Sequence, residues 1–195
     1  MRTIDARGLP CPQPVILARN AMREGAAFTI LVSAQEQVNN VRRLAEKAGW
    51  QTQVESREGE FAVQVHPSGE TLPSQAEQNA PKTERPTVLV VSSEHMGRGE
   101  EELGEILIRA FFHTLNEVDP LPNTIVFYNS GVKLAVEGSP ILEDLQALET
   151  KGVEILVCGT CLGYFELKDR LAVGEISNMY TIAETLLTAG HIVSL

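Results

Sequence analysis

Residues 67–86 read PSGETLPSQAEQNAPKTERP, and this stretch decides how the chain is organised. It is rich in Pro, Ser, Gly, Gln and Glu, and Leu72 is its only large apolar side chain. Such a segment buries too little apolar surface to offset the entropy lost on ordering it. It therefore predicts a flexible linker between two domains, residues 1–66 and residues 87–195.

The two predicted domains differ in charge. The chain has 195 residues, with 16 basic against 26 acidic side chains and a formal net charge of −10. Residues 1–66 contain eight basic and seven acidic residues, whereas residues 87–195 contain six and sixteen. Sequence-independent binding of nucleic acid depends on clustered Lys and Arg. This balance therefore argues against a nucleic-acid partner.

The cysteines and the apolar runs indicate the compartment. No apolar run approaches the roughly 18 to 20 residues that cross a bilayer, and the start, MRTIDA, lacks the apolar core of a signal peptide. We therefore expect a cytoplasmic protein without a membrane partner. Cys11, Cys158 and Cys161 are too few and too unevenly spaced for a disulfide framework. They are candidates for reactive sulfur or for metal ligands.

The first domain alternates between strand and helix periodicity. Strands are predicted at residues 3–6 and 28–32, and helical stripes end at Gly25 and Gly49. Two alternating strands, residues 51–56 and 60–66, form a hairpin across residues 57–59. The order βαβαββ predicts a two-layer sandwich, with both helices packed on one side of a four-stranded sheet.

The second domain repeats βα units. Strands are predicted at residues 87–92, 124–128, 153–157 and 192–193, and helices at 100–116, 140–151, 167–171 and 178–189. The fold class is therefore α/β, with a mainly parallel sheet and helices on both faces. In such sheets ligands bind beyond the carboxyl ends of the strands.

Cys11 follows the first predicted strand, where the first helix begins. Proline is favoured at the first helical position, so Pro12 makes Cys11 the helix cap. Free amides and the helix dipole stabilise a thiolate there. The alternative is a buried cysteine that acts as a small hydrophobe, which the flanking prolines make less favoured.

The surrounding stretch, residues 5–14, reads DARGLPCPQP and resembles the signature of TusA/SirA-like sulfur carriers. The order βαβαββ is also that family's fold. The resemblance implies that Cys11 of the CPxP motif carries a persulfide between proteins. The supporting positions of the motif are Asp5, Gly8, Pro12 and Pro14.

Cys158 and Cys161 form a CxxC pair where the strand at residues 153–157 ends. Such a pair is a redox dithiol, half of a zinc site or a sulfur-accepting centre. Zinc is the least favoured, because only Cys11 and four scattered histidines remain as further ligands. A plain structural role is a further alternative. The strand end favours Cys158 marginally as the acceptor, since the cysteine at the helix cap is the one expected to react.

The glycine-containing loop SSEHMGRG, residues 92–99, follows the first strand of the second domain. A flavodoxin-like nucleotide site is one interpretation, but three glutamates follow directly and would repel a phosphate. His95 and Arg98 are instead candidates to stabilise a nearby thiolate, or are solvated loop residues. Residues 129–133 are expected to form a second rim. We therefore expect no cofactor and no metal.

Residues 87–195 resemble the DsrE-like fold, whose active cysteine follows a corresponding strand. Residues 156–162, LVCGTCL, and 174–180, GEISNMY, are similar to the YedF proteins, which join a TusA-like to a DsrE-like domain. That resemblance implies a sulfurtransferase-like role in sulfur or selenium metabolism, and a homo-oligomer.

Two functions remain open at this point. The first is a persulfide or selenium carrier that relays its cargo between Cys11 and the CxxC pair. Such a carrier needs a donor protein, for example a cysteine desulfurase, and an acceptor that the sequence does not identify. The second is a redox-sensing or regulatory protein that uses the CxxC, with the first domain as a docking module.

Overall fold

The structure is a computed structural model, and it describes residues 2–10, 12–57, 60–67 and 86–195. The chain divides into two compact units, Met1–Thr83 and Glu84–Leu195. Residues 68–85, which make up most of the predicted linker, lie outside the described residues, and so do residues 58 and 59 of the predicted hairpin. Within the described ranges, no helix has both the length and the apolar character to cross a membrane.

The first unit has the predicted order βαβαββ. Its sheet has the strand order β1-β2-β4-β3, in which β1 and β2 are parallel and the other neighbours are antiparallel. The elements are β1 (Arg2–Asp5), α1 (Gln13–Arg23), β2 (Phe28–Val32), α2 (Gln35–Lys47), β3 (Trp50–Arg57) and β4 (Glu60–Pro67).

Burial in this unit follows the period of each element. Along β2, Phe28, Ile30 and Val32 are buried, whereas the residues between them are half-buried. Successive side chains of a strand point to opposite faces, so one face of the sheet is covered by the helices. The predicted two-layer sandwich is confirmed.

The second unit is a five-stranded sheet in which all neighbouring strands are parallel, in the order β8-β7-β6-β5-β9. Its elements are β5 (Thr87–Val91), α3 (Glu101–Leu115), β6 (Thr124–Phe127), α4 (Leu142–Thr150), β7 (Glu154–Cys158), α5 (Gly159–Tyr164), β8 (Glu175–Ser177), α6 (Met179–Thr188) and β9 (His191–Ser194). A 3-10 helix at Asn129–Ala135 follows β6. All four residues of β6 are buried, as in a strand covered on both faces. The predicted α/β class is therefore confirmed.

Three short elements were missed by the sequence patterns: the 3-10 helix after β6, the helix α5 and the strand β8. Each is too brief to show a hydrophobic period, and α5 contains two glycines in six residues. The predicted helix at residues 167–171 is wrong in extent. It is a single 3-10 turn, Lys168–Arg170, because Leu171 is already extended, with φ −61° and ψ 125°.

Candidate functional site

The second half of the CPxP motif, Gln13 and Pro14, begins α1. Pro12 occupies the cap position of α1, and its carbonyl accepts the backbone N–H groups of Val15 and Ile16. The helix therefore begins one residue later than expected, with Pro14 in its first turn. The cause is the preceding turn, in which Gln13 N–H donates to the Pro10 carbonyl at 2.9 Å. Cys11 itself lies outside the described residues, so its role stays a prediction.

Two polar side chains near the start of α2 form hydrogen bonds to the loop between β1 and α1, which we call the motif loop. The N–H of Gly8, whose φ is +69°, donates to Ser33 Oγ at 3.0 Å. The Leu9 carbonyl accepts from Gln37 Nε2 at 3.0 Å, and Gln37 Oε1 accepts the Ser33 N–H at 3.0 Å. Sequence reasoning did not assign these roles to Ser33 and Gln37, because both lie more than twenty residues from the loop and no periodicity marks them.

The Asp5 carboxylate holds the neighbouring Arg7 guanidinium in place. It accepts from Arg7 Nη2 at 2.7 Å and from the Arg7 backbone N–H at 3.1 Å. Hydrogen bonds from Arg7 lower the pKa of Asp5 to about 2. Arg7 also reaches Glu60 Oε2 on β4 at 2.8 Å. Asp5 thus supports the loop through an exposed ion-pair network.

Cys158 ends β7 and occupies the cap of α5, as the sequence suggested. Its side chain is fully buried. The pKa of the Cys158 thiol is raised to about 11: burial raises it most, a hydrogen bond with the Cys161 side chain also raises it, and the Cys161 and Thr160 amides lower it. At neutral pH Cys158 is therefore a protonated thiol within the core.

Cys161 lies one turn further along α5 and is half-buried. The backbone N–H of Asn129, the first residue of the 3-10 helix after β6, donates to its Sγ at 3.1 Å. A backbone donor aimed at sulfur stabilises negative charge on that atom. The predicted rim at residues 129–133 thus reaches the site at Asn129.

Close packing fixes the backbone conformation around Asn129. Asn129 has a positive φ of 51°, and Tyr128 N–H donates to the Val91 carbonyl at 3.2 Å. A Cβ at Gly131 would collide with that carbonyl oxygen and lie 3.3 Å from the Ser93 nitrogen. Only glycine fits this approach. The amide that faces Cys161 is therefore held by the end of β5.

Lys133 connects the same 3-10 helix to Phe165, the residue that follows α5. Its Nζ pairs with Glu94 Oε1 at 2.6 Å and lies 5.1 Å from the centre of the Phe165 ring. A cation over an aromatic face is attracted by the ring quadrupole. Asn129 and Lys133 thus contact Cys161 and Phe165, respectively, from one short element.

His95 contacts a side chain of α3. Its Nε2 lies 3.6 Å from Glu105 Oε1, and it lines a cavity of about 230 Å³ with Glu94, Arg109 and Lys133. Neither Cys158 nor Cys161 is among the residues that line this cavity. Arg98 is exposed in the loop before α3. The contact that Asn129 makes with Cys161 comes from the backbone, which no side-chain motif reveals.

No disulfide joins the two cysteines of the CxxC pair. Cys158 and Cys161 are both free thiols. Among the described residues no group of three or more His, Cys, Asp or Glu side chains has a geometry that would hold a metal ion. The available chemistry at the pair is that of a buried thiol beside an accessible one.

Comparison with known families divides the chain in the same way. Residues 2–66 match the model of the sulfurtransferase TusA family, and residues 90–195 match the model of the DsrE/DsrF-like family. Both families are related to sulfur relay. No curated protein matches the chain at a significant level.

Solved structures resemble each unit separately. A SirA-like protein from Desulfitobacterium hafniense is 34% identical, over 33% of this chain and 95% of its own, with a TM-score of 0.33. The ychN protein from E. coli is 19% identical, over 57% of this chain and 99% of its own, with a TM-score of 0.43. A protein of unknown function from Methanobacterium thermoautotrophicum is 18% identical, over 56% and 97%, with a TM-score of 0.42.

Proposed function

Because the chain belongs to the DsrE/DsrF-like family and carries a TusA-like domain ahead of that domain, we propose that it relays sulfur as a persulfide between Cys11 and the Cys158–Cys161 pair. One observation carries this proposal. Each of the two sulfur-relay domains has cysteine at a junction between a strand and a helix, after β1 and at the end of β7.

The relay needs only thiol chemistry. A thiolate attacks the outer sulfur of the donor persulfide, the S–S bond of the donor breaks, and the donor cysteine leaves as a thiolate. The number of persulfides is unchanged, so no oxidant or reductant is consumed. A donor protein, for example a cysteine desulfurase, supplies the first sulfur, and an acceptor protein removes it.

The domain division supports transfer within one chain. We place the carrier domain at residues 1–66, the linker at 67–86 and the DsrE-like domain at 87–195. A flexible segment of about 20 residues has a root-mean-square reach near 25 Å. That tether gives each cysteine site a high local concentration of the other.

The cargo and the compartment are further parts of the proposal. A selenol attacks and leaves in the same way as a thiol, so the same residues serve a perselenide, in line with the resemblance to YedF proteins. The relay operates in the cytoplasm, where thiols are kept reduced. Loading of the purified chain from a small persulfide donor and from the corresponding perselenide donor, each of which loses its own thiolate in the transfer, followed by intact mass, tests the preference between the two.

A homo-oligomer is also part of the proposal. Leu103, Ile106 and Leu107 are 53%, 57% and 41% exposed on α3. Residues three and four apart lie on one face of a helix, so these side chains form an apolar stripe that a second copy would cover. Light scattering of the wild type and of Ile106→Glu tests this, and the variant is expected to have the lower mass.

Intact mass tests the relay itself. After incubation with a small persulfide donor, the chain is expected to gain about one sulfur mass at each reactive cysteine. Cys11→Ser should lose the gain at the first domain without unfolding, since serine is well tolerated at a helix start. A chain that gains no sulfur contradicts the proposal.

The redox sensor is the second candidate, and the contact between the Cys158 and Cys161 side chains favours it. Neighbouring thiols at positions i and i+3 are able to close a disulfide. A sensor would lose two hydrogens on mild oxidation and gain no sulfur from a persulfide. The same mass measurement therefore separates the two functions.

A further inference from the structure

The geometry of the CxxC pair points to the reverse of the assignment that the sequence marginally favoured, in which Cys158 was the acceptor. We propose that Cys161 is the sulfur that exchanges with an incoming persulfide, that the Asn129 backbone amide holds its charged form, and that Cys158 is the buried resolving thiol. This inference rests on the relay function proposed above.

Access separates the two sulfurs. Cys161 is half-buried, whereas Cys158 is 0% exposed and ends a strand whose last four residues are all buried. An attacking thiolate must line up with the S–S bond of its partner, which requires an open approach. Cys161 meets that requirement and Cys158 does not.

The two sulfurs also differ in how well their surroundings accommodate a negative charge. The Asn129 N–H donates to Cys161 Sγ at 3.1 Å, so a thiolate or the anion of a persulfide at that position has a backbone partner. Burial has the opposite effect at Cys158, whose pKa it raises. The helix α5 has only six residues, so its dipole gives Cys158 little help.

The donor amide is fixed by the backbone. Asn129 has a φ of 51°, which Asn tolerates better than residues that are branched at Cβ. The following turn, in which Gly131 N–H donates to the Tyr128 carbonyl at 3.2 Å, packs against the end of β5. Asn129 is thus a positioning residue, since its effect depends on its conformation and not on its side chain.

The exchange itself needs no oxidant or reductant, whereas the resolving step that follows it needs an external dithiol reductant. The Cys161 thiolate attacks the outer sulfur of the donor persulfide, a new S–S bond forms at Cys161, and the donor cysteine leaves as a thiolate. In the resolving step the Cys158 thiol attacks Cys161 Sγ. The outer sulfur leaves as hydrogen sulfide, and a Cys158–Cys161 disulfide forms. An external dithiol reductant then returns the pair to two thiols.

Tyr164 marks the face from which the donor approaches. It is 82% exposed and lies three residues after Cys161, on the same side of α5. Exposed aromatic side chains are frequent anchors at protein interfaces. A protein donor is therefore expected to contact Tyr164 as it reaches Cys161, whereas a small reagent would not need it.

The deciding experiment uses the full chain with Cys11→Ser, so that only the pair reacts. Cysteine persulfide is the donor, and the added sulfur is located by mass spectrometry in Cys158→Ser and in Cys161→Ser. We expect Cys158→Ser to keep a long-lived persulfide on Cys161, and Cys161→Ser to take up less than a tenth of that sulfur.

The outcomes separate this inference from the relay. Sulfur found on Cys158 in the Cys161→Ser chain overturns the inference and leaves the relay intact. Sulfur on neither cysteine overturns both, since the second domain would then be no acceptor. Equal iodoacetamide alkylation rates at the two cysteines in the wild type also contradict the inference.

Substitutions at Asn129 test the positioning role. Asn129→Gly keeps access to positive φ, so alkylation of Cys161 should stay within about twofold of the wild type. Asn129→Val strains that conformation, and the rate should fall about tenfold. Asn129→Ala provides the same test with less strain if the Val variant does not fold. Equal rates in the Gly and Ala variants would exclude a role for the amide.

Discussion

The motif loop that contains Cys11 is held by hydrogen bonds from side chains of other elements. The Cys158–Cys161 pair is held instead by hydrogen bonds from backbone groups and by packing in the core of its unit. Ser33 and Gln37 hold the first loop through hydrogen bonds at exposed or half-buried positions. At the second site, Cys158 lies in the buried core and Cys161 accepts a backbone amide. The first site should therefore tolerate single substitutions better than the second.

The largest effect expected from this difference is the slow reaction of Cys158. With a pKa of about 11, about a thousandth of the thiol is ionised at pH 8. Alkylation of Cys158 by iodoacetamide in Cys161→Ser should be about a hundredfold slower than that of a free thiol of pKa about 8.5. Because burial is the main cause of the shift, it should persist in this variant. A rate that stops rising near pH 8.5 would show that burial does not protect the thiol.

The same shift makes the stability of the second unit depend on pH. Folding raises the pKa, so the folded state holds the proton more tightly than the unfolded state. The stabilisation is complete below the unfolded pKa of about 8.5 and is lost as pH rises through about 11. Urea unfolding across that range should show a decline that is smaller in Cys158→Ala.

Gly131→Ala should give the next largest effect, a loss of about 3 kcal/mol of unfolding free energy. The added Cβ meets the backbone of Val91 and Ser93, which cannot move aside as a flexible side chain would. Urea unfolding measures the loss. The matched control is Gly99→Ala, where a Cβ meets nothing within 4 Å, and it should change stability by less than about 0.5 kcal/mol.

These contacts also explain how far the sequence predicted the molecule. The order of the main strands and helices followed from hydrophobic periods, and the location of the CxxC pair followed from a strand end. The Asn129 amide could not be predicted, because every residue has an N–H and only the fold brings this one to Cys161, 32 positions away. Gln37 lies 28 residues from Leu9, which is a distance that local patterns do not cover.

The substitution Ser177→Ala tests whether every buried polar group near the CxxC pair has a hydrogen-bond partner. Ser177 lies opposite Cys158 in the sheet, is fully buried, and its hydroxyl finds no hydrogen-bond partner among the described residues. Removing an unsatisfied buried hydroxyl relieves a desolvation penalty. Ser177→Ala should therefore raise the unfolding free energy by about 1.5 kcal/mol, as measured by urea unfolding.

The neighbouring Asn178 is the control for that variant. It is equally buried, but its Oδ1 accepts the Thr181 N–H at 3.1 Å at the start of α6. Asn178→Ala should therefore destabilise the unit by about 1 kcal/mol. A loss of stability in both variants would mean that the Ser177 hydroxyl also has a partner.

Gln37→Ala tests the first site. The substitution removes the bonds to the Leu9 carbonyl and the Ser33 N–H. Each bond is worth about 1 kcal/mol or less at such a position, so the first unit should lose about 1 kcal/mol, and persulfide loading of Cys11 should slow. Gln35→Ala, on the same helix, removes a bond to the exposed Asn39 and should change neither quantity. Equal effects in the two variants would show that the loop does not depend on Gln37.

Arg7→Ala should have the smallest effect. Its ion pairs with Asp5 and Glu60 are exposed and screened by water, so their loss should cost little stability. The measurable change should be in the pKa of Asp5, which should rise from about 2 towards its ordinary value, about 3.9. Once the folded and unfolded values coincide, the Asp5 carboxylate no longer contributes the stability that the wild type loses as the pH falls through about 2. NMR titration of the Asp5 carboxyl measures this, with Arg2→Ala as the control, since Arg2 pairs with Glu24. A large loss of stability in Arg7→Ala alone would mean that the ion pairs hold the motif loop more firmly than their exposure allows.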